Sequence, residues 1–403
     1  MKSVLQLKSV LWNITVVFIL LLAGCNGGGK TNAVSNASSS RVSAARLGES
    51  ADSAINTLMA NTGASAVTFA VAKNGKIIYE KAYGFHDAAH TIPLKADALI
   101  RPGSIIKPVT AAAIRILASK GNLNLSDHVF CTGSNAPCWL PSDFLSATTD
   151  AKVKDITIQH LISHKGGWLI SVSGDAAYME PEIKNALKLN RPPTQAEIIK
   201  YYMAKPLGYT PGSPVNDSFD NFSNFGFMVL GYIVEQASHK TYVEFVQANI
   251  MAPLGVSNSD FKEGESRLVD RGIREPAYNT SAQCQSVFTD RQAICAEEMR
   301  EVKNWLSICC SVTTVRAMAL FAQTYRLSTS EYGLHDNYTG MPLANSSVEI
   351  TKFNGDMEGL TTVVKQFPSG VSYAVFLNQT LINSEADHHY YSTFLDNISQ
   401  RPL

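Results

Sequence analysis

A serine and a lysine stand three residues apart in the run Gly103-Ser104-Ile105-Ile106-Lys107. On a helix, side chains at this spacing share one face, so the amine can reach the hydroxyl. If the apolar neighbours bury Lys107, desolvation lowers its pKa and lets it accept the serine proton near neutral pH. The spacing therefore predicts Ser104 as a nucleophile and Lys107 as its base. A bare tetrad also fits an exposed pair near the start of a helix.

The residues on either side indicate the elements that must position this pair. Before it, two β-rich runs in residues 66–80 flank Asn74-Gly75, which is a strong signal for a hairpin turn. After it, residues 110–118 continue as an apolar helix-like run. Further segments follow in order, namely ITIQHLISHKGGW (156–168), PGS (211–213), FSNFGFMVLGYIVE (222–235) and APLGV (252–256).

In this order, the segments resemble the serine β-lactamase-related superfamily, and specifically its class C β-lactamase, D-Ala-D-Ala carboxypeptidase and esterase branch. The resemblance covers roughly residues 48–400. It implies an α+β fold of the β-lactamase and penicillin-binding-protein type. An antiparallel sheet with flanking helices, built from the beginning and end of the chain, packs against a mostly helical region. Ser104 lies between them, at the N-terminus of a central helix.

The activity that the resemblance implies is acyl transfer through a serine acyl-enzyme, which water then releases. Backbone N–H groups, one of them that of the serine itself, stabilise the oxyanion. Gly355 and Asp356 belong to the third motif of the family, and we expect the Asp356 N–H to be the second oxyanion donor.

Two of the family's proton-handling positions are occupied by phenylalanine. The Tyr-x-Asn motif reads Phe222-Ser223-Asn224, so the phenol is missing while Asn224 remains as a polar contact for lysine and substrate. The Lys-Thr-Gly or His-x-Gly motif reads Phe353-Asn354-Gly355. Lys352 is adjacent, but the period of two in a strand points it to the opposite face unless the strand slips by one.

These losses leave two hypotheses for the function. In the first, the chain is a serine hydrolase, and a substitute acid comes from Asp217 or Asp220, which otherwise belong to a solvated loop. In the second, the chain is a catalytically degenerate protein of this fold that binds a cell-envelope ligand or partner, because losing a general acid or base typically costs about two to four orders of magnitude in rate.

The third motif also bears on the substrate. Asp356 and Glu358 would repel the carboxylate of a penicillin or of a peptide C-terminus. We therefore expect a small-molecule ester or amide to be a better substrate than a penicillin, and a cell-wall peptide is the other partner considered.

Composition excludes several function classes. The 403 residues carry 34 basic and 34 acidic side chains and are 45% apolar, so the chain can bury a large core and has no electrostatic bias towards nucleic acid. No phosphate-binding glycine loop is present, and no cofactor is expected. His160 and His164 stand four apart, but the pattern favours packing and helix-end roles over a metal site.

Residues 1–24 resemble a lipoprotein signal peptide that ends in Leu22-Ala23-Gly24 before Cys25. Lipid on Cys25 would anchor the protein to a membrane, and residues 25–47 read as a flexible tether before a hydrolase domain at 48–403. Asn26 favours the outer membrane of a bacterial envelope, facing the periplasm, by analogy with bacterial sorting rules.

Six further cysteines are compatible with an oxidising compartment. Short loops make Cys131 with Cys138 and Cys284 with Cys295 the natural local pairs, whereas Cys309 and Cys310 could form a vicinal bridge or stay free.

Overall fold

The computed structural model describes residues 48–132, 137–146, 148–214, 218–328, 336–337, 339–343 and 351–381. The predicted signal peptide, the predicted lipidation site Cys25, the whole of the tether and Asp217 lie outside these described residues.

The backbone of the fold is a five-stranded antiparallel sheet in the order β2-β1-β11-β10-β9. Its strands are β1 (Ala66–Lys73), β2 (Lys76–Gly84), β9 (Thr351–Met357), β10 (Leu360–Gln366) and β11 (Val371–Leu377). Three short pairs lie outside it, β3 (His128–Phe130) with β4 (Cys138–Leu140), β5 (Phe261–Glu263) with β8 (Ser311–Thr313), and β6 (Gln283–Gln285) with β7 (Gln292–Ile294).

The predicted hairpin is confirmed at the turn between β1 and β2. Asn74 and Gly75 both have positive φ, 52° and 70°, which is the backbone conformation that a tight Asn-Gly turn requires. The sheet joins the first strands of the chain to its last ones, because β1 pairs with β11. This confirms the α+β architecture expected from the resemblance.

The two faces of the sheet are covered by different helices. On one face, helix α1 (48–62) buries Ala51, Ile55 and Leu58 against Phe69 and Tyr373. On the other face, α10 (Val315–Thr324) packs on β1 and β11 and continues into the larger core of the helical region. The alternation of side chains along each strand therefore feeds two separate cores.

The helical region is centred on two helices that pack against each other, α2 (Lys107–Ser119) and α7 (Asn224–Ser238). Both are mostly buried, and ten residues of the fifteen in α7 lie in the core. The remaining helices are α3 (Ile158–Ile162), α4 (Ile170–Ser173), α5 (Glu180–Ala186), α6 (Gln195–Tyr202), α8 (Tyr242–Val246) and α9 (Cys295–Glu298). Within the residues described, no helix is long and apolar enough to cross a membrane.

The cysteine pairs are partly as expected. The Cys131–Cys138 disulfide is confirmed, and a vicinal bridge joins Cys309 to Cys310. The expected Cys284–Cys295 disulfide is wrong, because both residues are free thiols, and the Cys284 thiol donates a hydrogen bond to the Ala293 carbonyl at 3.9 Å. Cys284 pairs across the hairpin with Ala293, so Cys295 is its diagonal neighbour and lies farther away than a directly opposite residue.

Candidate active site

Ser104 and Lys107 lie at the junction between the sheet and the helical region. A 3-10 turn, Gly103–Ile106, carries Ser104 and runs directly into α2, whose first residue is Lys107. The Lys107 Nζ atom lies 3.0 Å from the Ser104 Oγ atom and donates a hydrogen bond to it. The contact predicted from the three-residue spacing is therefore present, with Ser104 partly open to solvent.

Lys107 has no exposed surface. Its amine also donates to the Ile308 carbonyl at 3.2 Å, and it lies 4.7 Å from the centre of the Phe222 ring and 5.7 Å from that of Phe227. Burial lowers the pKa of Lys107 to about 7, and the nearby charge of Asp175 opposes this shift. At neutral pH a large fraction of the amine is thus unprotonated and able to accept a proton.

Phe222 lies against the lysine and not elsewhere in the core. Its ring stacks between Phe219 and His164, with centroid distances of 5.2 and 4.7 Å, and only 4% of the residue is exposed. The backbone N–H of Ser223 donates to His164 Nδ1 at 2.9 Å and holds this stack to the start of α7. The position at which the Tyr-x-Asn motif would place a phenol is thus filled by an apolar ring that lies against the amine.

Asn224 is the first residue of α7 and is 8% exposed. Its side-chain amide donates to both carboxylate oxygens of Asp175, at 3.0 and 2.9 Å. Asp175 also accepts the Ala177 N–H at 3.0 Å, which caps a short 3-10 turn. Burial raises the pKa of the Asp175 carboxyl, and the hydrogen bonds from Ala177 and Asn224 oppose the shift.

Asp175 is the site residue that sequence reasoning missed. In the sequence it precedes Ala176-Ala177, a pattern that indicates an N-cap and nothing more. Its contact with Asn224 joins residues 49 positions apart, so no local signal could have placed it beside Lys107.

The outer edge of β9 packs against the turn that carries the nucleophile. A Cβ added to Gly355 would lie 2.6 Å from Ser104 N, and one added to Gly103 would lie 3.3 Å from Asp356 N. The 355–356 peptide is therefore next to the backbone of the nucleophile. Asp356 N thus lies close to the turn that carries Ser104, and its role as second oxyanion donor stays a prediction.

The alternation expected along β9 is confirmed. Phe353 pairs with Val364 on the face that carries Gly355, and it is 1% exposed in the same core as α2. Lys352 pairs with Lys365 on the opposite face, and the register shows no slip. The third motif consequently offers an apolar ring, and not a cation, towards the helical region.

Glu358, immediately beyond β9, has its charge compensated. Arg300 is 4% exposed and binds both carboxylate oxygens of Glu358, at 2.8 and 3.3 Å. The expectation that Glu358 repels a carboxylate substrate is therefore wrong, because its charge is paired. An open pocket of about 280 Å³ adjoins this pair and is lined by Tyr178, Thr280, Ala282, Asp356, Met357, Glu358 and Thr380.

Asp220, one of the two candidates for a substitute acid, has a local structural role. Its carboxylate accepts the Ser171 N–H at 2.7 Å and the Ser171 hydroxyl at 2.8 Å, which ties the loop before α7 to α4. These bonds favour the loop interpretation of Asp220.

The two histidines have the expected packing and helix-end roles. His160 forms a reciprocal capping box with Thr157 at the start of α3, and His164 accepts the bond from Ser223. In the part of the chain that the structure describes, no group of three or more His, Cys, Asp or Glu side chains could hold a metal ion.

Comparison with known proteins gives the family of this chain. The Beta-lactamase family profile matches residues 51–278. Esterase EstB of Burkholderia gladioli is 30% identical over 198 residues, which are 48% of this chain and 46% of the esterase. Penicillin-binding protein 4* of Bacillus subtilis is 28% identical over 193 residues, 48% of this chain and 37% of that protein. The match thus spans less than half the length of these curated relatives.

Solved structures share the fold over most of this chain. The D-amino acid amidase of Ochrobactrum anthropi, complexed with L-phenylalanine, superposes with a TM-score of 0.61 at 17% identity, covering 87% of this chain and 97% of the amidase. A Beta-lactamase/D-alanine carboxypeptidase of Yersinia pestis gives 0.60 at 15% identity, covering 87% and 98%. The family profile matches more than half of the 403 residues and includes the Ser104–Lys107 pair and Asn224. The chain therefore belongs to the beta-lactamase family.

Proposed function

We propose that this protein is a serine hydrolase that transfers an acyl group from an ester or amide to Ser104 and then to water. The observation that carries the proposal is the contact between a partly exposed Ser104 and the buried Lys107, at 3.0 Å. An amine with a pKa near 7 can take the serine proton at neutral pH.

In the first half of the reaction, Ser104 Oγ forms a bond to the substrate carbonyl carbon, and the serine proton passes to Lys107. The oxyanion would lie between the N–H groups of Ser104 and Asp356. The bond to the leaving alcohol or amine then breaks, and the leaving group takes the proton. In the second half, water attacks the acyl carbon, one of its protons passes through Lys107 to Ser104 Oγ as the bond between that oxygen and the acyl carbon breaks, and the carboxylic acid is released.

The proposed substrate class is an ester or amide, and not a penicillin. Phe353 stands where a cation would hold a substrate carboxylate, while the carboxyl of Asp175 remains beside Asn224. The names of the relatives support this class, since they include an esterase and an amidase.

The experiment that tests the proposal is the intact mass of the full chain, purified in detergent, after treatment with a fluorophosphonate or a penicillin. Ser104→Ala is the control. We expect an adduct with the fluorophosphonate that depends on Ser104, and none with the penicillin. A penicillin adduct would restore the β-lactam class. Absence of both adducts would support a catalytically degenerate protein that binds a cell-envelope ligand or partner.

We also propose that the protein is exported and anchored by lipid on Cys25, in the outer membrane of a bacterial envelope and facing the periplasm. The support is the run Leu22-Ala23-Gly24-Cys25, which has the small residues that processing requires. Attachment of two acyl chains is enough to hold a protein stably at a membrane. In cells, Cys25→Ser should move the protein from the membrane to the soluble fraction, and an unchanged distribution would refute the anchor.

A further inference from the structure

We propose that Asp175 and Asn224 select substrates whose acyl group carries a protonated amine beside the scissile carbonyl. This inference rests on the proposed hydrolase function and names the substrate class of the same site.

The orientation of the Asn224 amide is the first observation. Both short contacts of Asn224 Nδ2 are with Asp175, one to each carboxylate oxygen, at 3.0 and 2.9 Å. The donor end of the amide is committed to Asp175, so the carbonyl end of Asn224 points the other way. The wall of the site formed by Asp175 and Asn224 therefore presents the Asn224 carbonyl oxygen, a hydrogen-bond acceptor, to a bound substrate.

The charge of Asp175 is the second observation. Its carboxylate accepts N–H groups from Asn224 and Ala177, but among the described residues no Lys, Arg or His lies within 4.0 Å of it as an ion-pair partner. The two cations that act on it from farther away are Lys107 and Arg300. Neither fully offsets the charge of Asp175, because buried Lys107, with a pKa of about 7, is only partly charged at neutral pH and Arg300 is bound by both oxygens of Glu358.

An incompletely compensated carboxylate in a largely buried site favours a cationic ligand. Burial raises the free energy of the ionised form, which is why the pKa of Asp175 is raised. An ammonium group supplied by the substrate would donate hydrogen bonds to Asp175 and to the carbonyl of Asn224, and would offset that cost.

The location of this wall specifies which part of the substrate it contacts. Asp175 is hydrogen-bonded to Asn224, which follows Phe222 by two residues. The Phe222 ring centre lies 4.7 Å from the Lys107 amine that hydrogen-bonds to Ser104. The Asp175–Asn224 pair is therefore close to the nucleophile.

The short 3-10 turn that Asp175 caps ends at Tyr178, which is 54% exposed and borders the pocket with Asp356. An amine on the carbon next to the carbonyl could reach Asp175, while an apolar side chain could lie against Tyr178.

The same wall disfavours an acylated amine. An amide carbonyl in the place of the ammonium would bring an acceptor against the oxygens of Asp175 and Asn224 with no donor between them. The selection is thus for a free amine over an N-acyl group.

The test compares three ethyl esters with the same carbon skeleton, those of phenylalanine, 3-phenylpropanoate and N-acetylphenylalanine, with both enantiomers of the chiral ones. We expect the full-length enzyme to hydrolyse a phenylalanine ester with kcat/KM at least about tenfold above that of the 3-phenylpropanoate ester, after correction for their rates with hydroxide.

Asp175→Asn should lower this ratio about tenfold. Asp220→Asn makes the same change of charge at a carboxylate that binds Ser171, and it should leave the ratio unchanged.

A ratio that Asp175→Asn does not change, or a preference for the N-acetyl ester, would overturn the inference. A second measurement separates it from the proposed function. On the full chain carrying Ser104→Ala, which cannot form an acyl-enzyme, calorimetry should give tighter binding of phenylalaninamide than of 3-phenylpropanamide, and Asp175→Asn should abolish the difference. If no ester is hydrolysed but this difference is found, the hydrolase proposal fails and amine selection stands. Equal binding of the two amides overturns amine selection, whatever the turnover.

Discussion

Lys107 is buried without a carboxylate partner among the described residues, an environment that disfavours its charged form and suits a base. It is fully buried, its amine has two oxygen acceptors at 3.0 and 3.2 Å, and no carboxylate lies within ion-pair distance in the described part of the chain. Desolvation therefore outweighs the more distant charge of Asp175 and brings the pKa to about 7. The neutral amine is the form that can accept a proton from Ser104.

The first prediction is a pH dependence of serine acylation. Because only neutral Lys107 acts as a base, the rate of fluorophosphonate labelling should rise with pH through about 7 and level off above it. Labelling rates between pH 5 and 9, followed by intact mass, measure this. A rate that still rises tenfold per pH unit up to pH 9, as expected for the ordinary lysine pKa of about 10.4, would contradict the assignment of Lys107 as the base.

The second prediction concerns Phe222. A tyrosine there would place a phenol on the ring whose centre is 4.7 Å from the Lys107 amine. Since a positioned acid–base group typically contributes about 10² or more in rate, Phe222→Tyr should raise kcat/KM for an ester by at least about tenfold. Phe219→Tyr changes the exposed ring of the same stack and should have little effect on kcat/KM. Loss of activity in Phe222→Tyr would show that the site has adapted to the apolar ring.

At the scale of elements, the close approach of β9 to the turn that carries Ser104 would form the proposed oxyanion site. The neighbouring strand β10, which pairs Thr362 with Gly355, is tied to this turn by a bond from the Thr362 hydroxyl to the Pro102 carbonyl at 2.6 Å. Only a residue without a side chain fits at position 355, because an added Cβ would lie 2.7 Å from Pro102 O and 2.6 Å from Ser104 N. The site therefore depends on backbone packing as much as on side chains.

The third prediction follows from this packing. Gly355→Ala should push β9 away from Ser104, lower the free energy of unfolding by about 1–3 kcal/mol and abolish most fluorophosphonate labelling. Gly272→Ala is the matched control, since its nearest neighbour would be the end of a flexible lysine side chain at 3.6 Å. Chemical denaturation and labelling rates of both variants measure the two effects. Wild-type labelling by Gly355→Ala would refute the role of the edge strand.

At the scale of the whole molecule, the candidate site collects short segments from distant parts of the chain. The nucleophile turn comes from 103–107, the capped turn from 175–178, the start of α7 from 222–224 and the oxyanion strand from 355–356. They meet because the sheet edge and the helical region are packed against the same turn. Global stability is thus coupled to the burial of a polar amine between the two.

The fourth prediction is that replacing Lys107 raises the stability of the protein and abolishes its activity. The folded pKa of about 7 is below the unfolded value of about 10.4, so between these values the unfolded chain binds more protons and stability rises with pH. Replacement by an apolar side chain removes the cost of burying the charge. Lys107→Met should abolish labelling yet raise the free energy of unfolding by about 1–4 kcal/mol at or below pH 7.

The gain should shrink as the pH rises above about 7, because the folded amine is then neutral, and its charge-dependent part should vanish above about 10.4, where the unfolded amine is neutral as well. Urea unfolding at pH 6 and pH 9.5 measures this, with Lys262→Met at an exposed lysine as the control. A gain that is the same at both pH values would show that Lys107 carries no pKa shift in the fold.

The features that could be predicted from the sequence are those that depend on local spacing. The three-residue interval joined Lys107 to Ser104, the Asn74-Gly75 pair set the hairpin, and the period of two put Lys352 on the face opposite Phe353. Each is a property of neighbouring residues in one helix or strand, so periodicity and turn chemistry were enough. The short Cys131–Cys138 loop belongs to the same class.

Contacts between groups that are distant in the sequence became visible only in the tertiary structure. It brought Asp175 to Asn224, paired Glu358 with Arg300 and placed the ring of Phe222 on the Lys107 amine. These contacts depend on how the sheet and the helices pack, and the pKa of a buried group is set by its neighbours in space and not in sequence. For that reason the sequence could name the nucleophile and its base, whereas the charge balance that bears on the substrate followed from the fold.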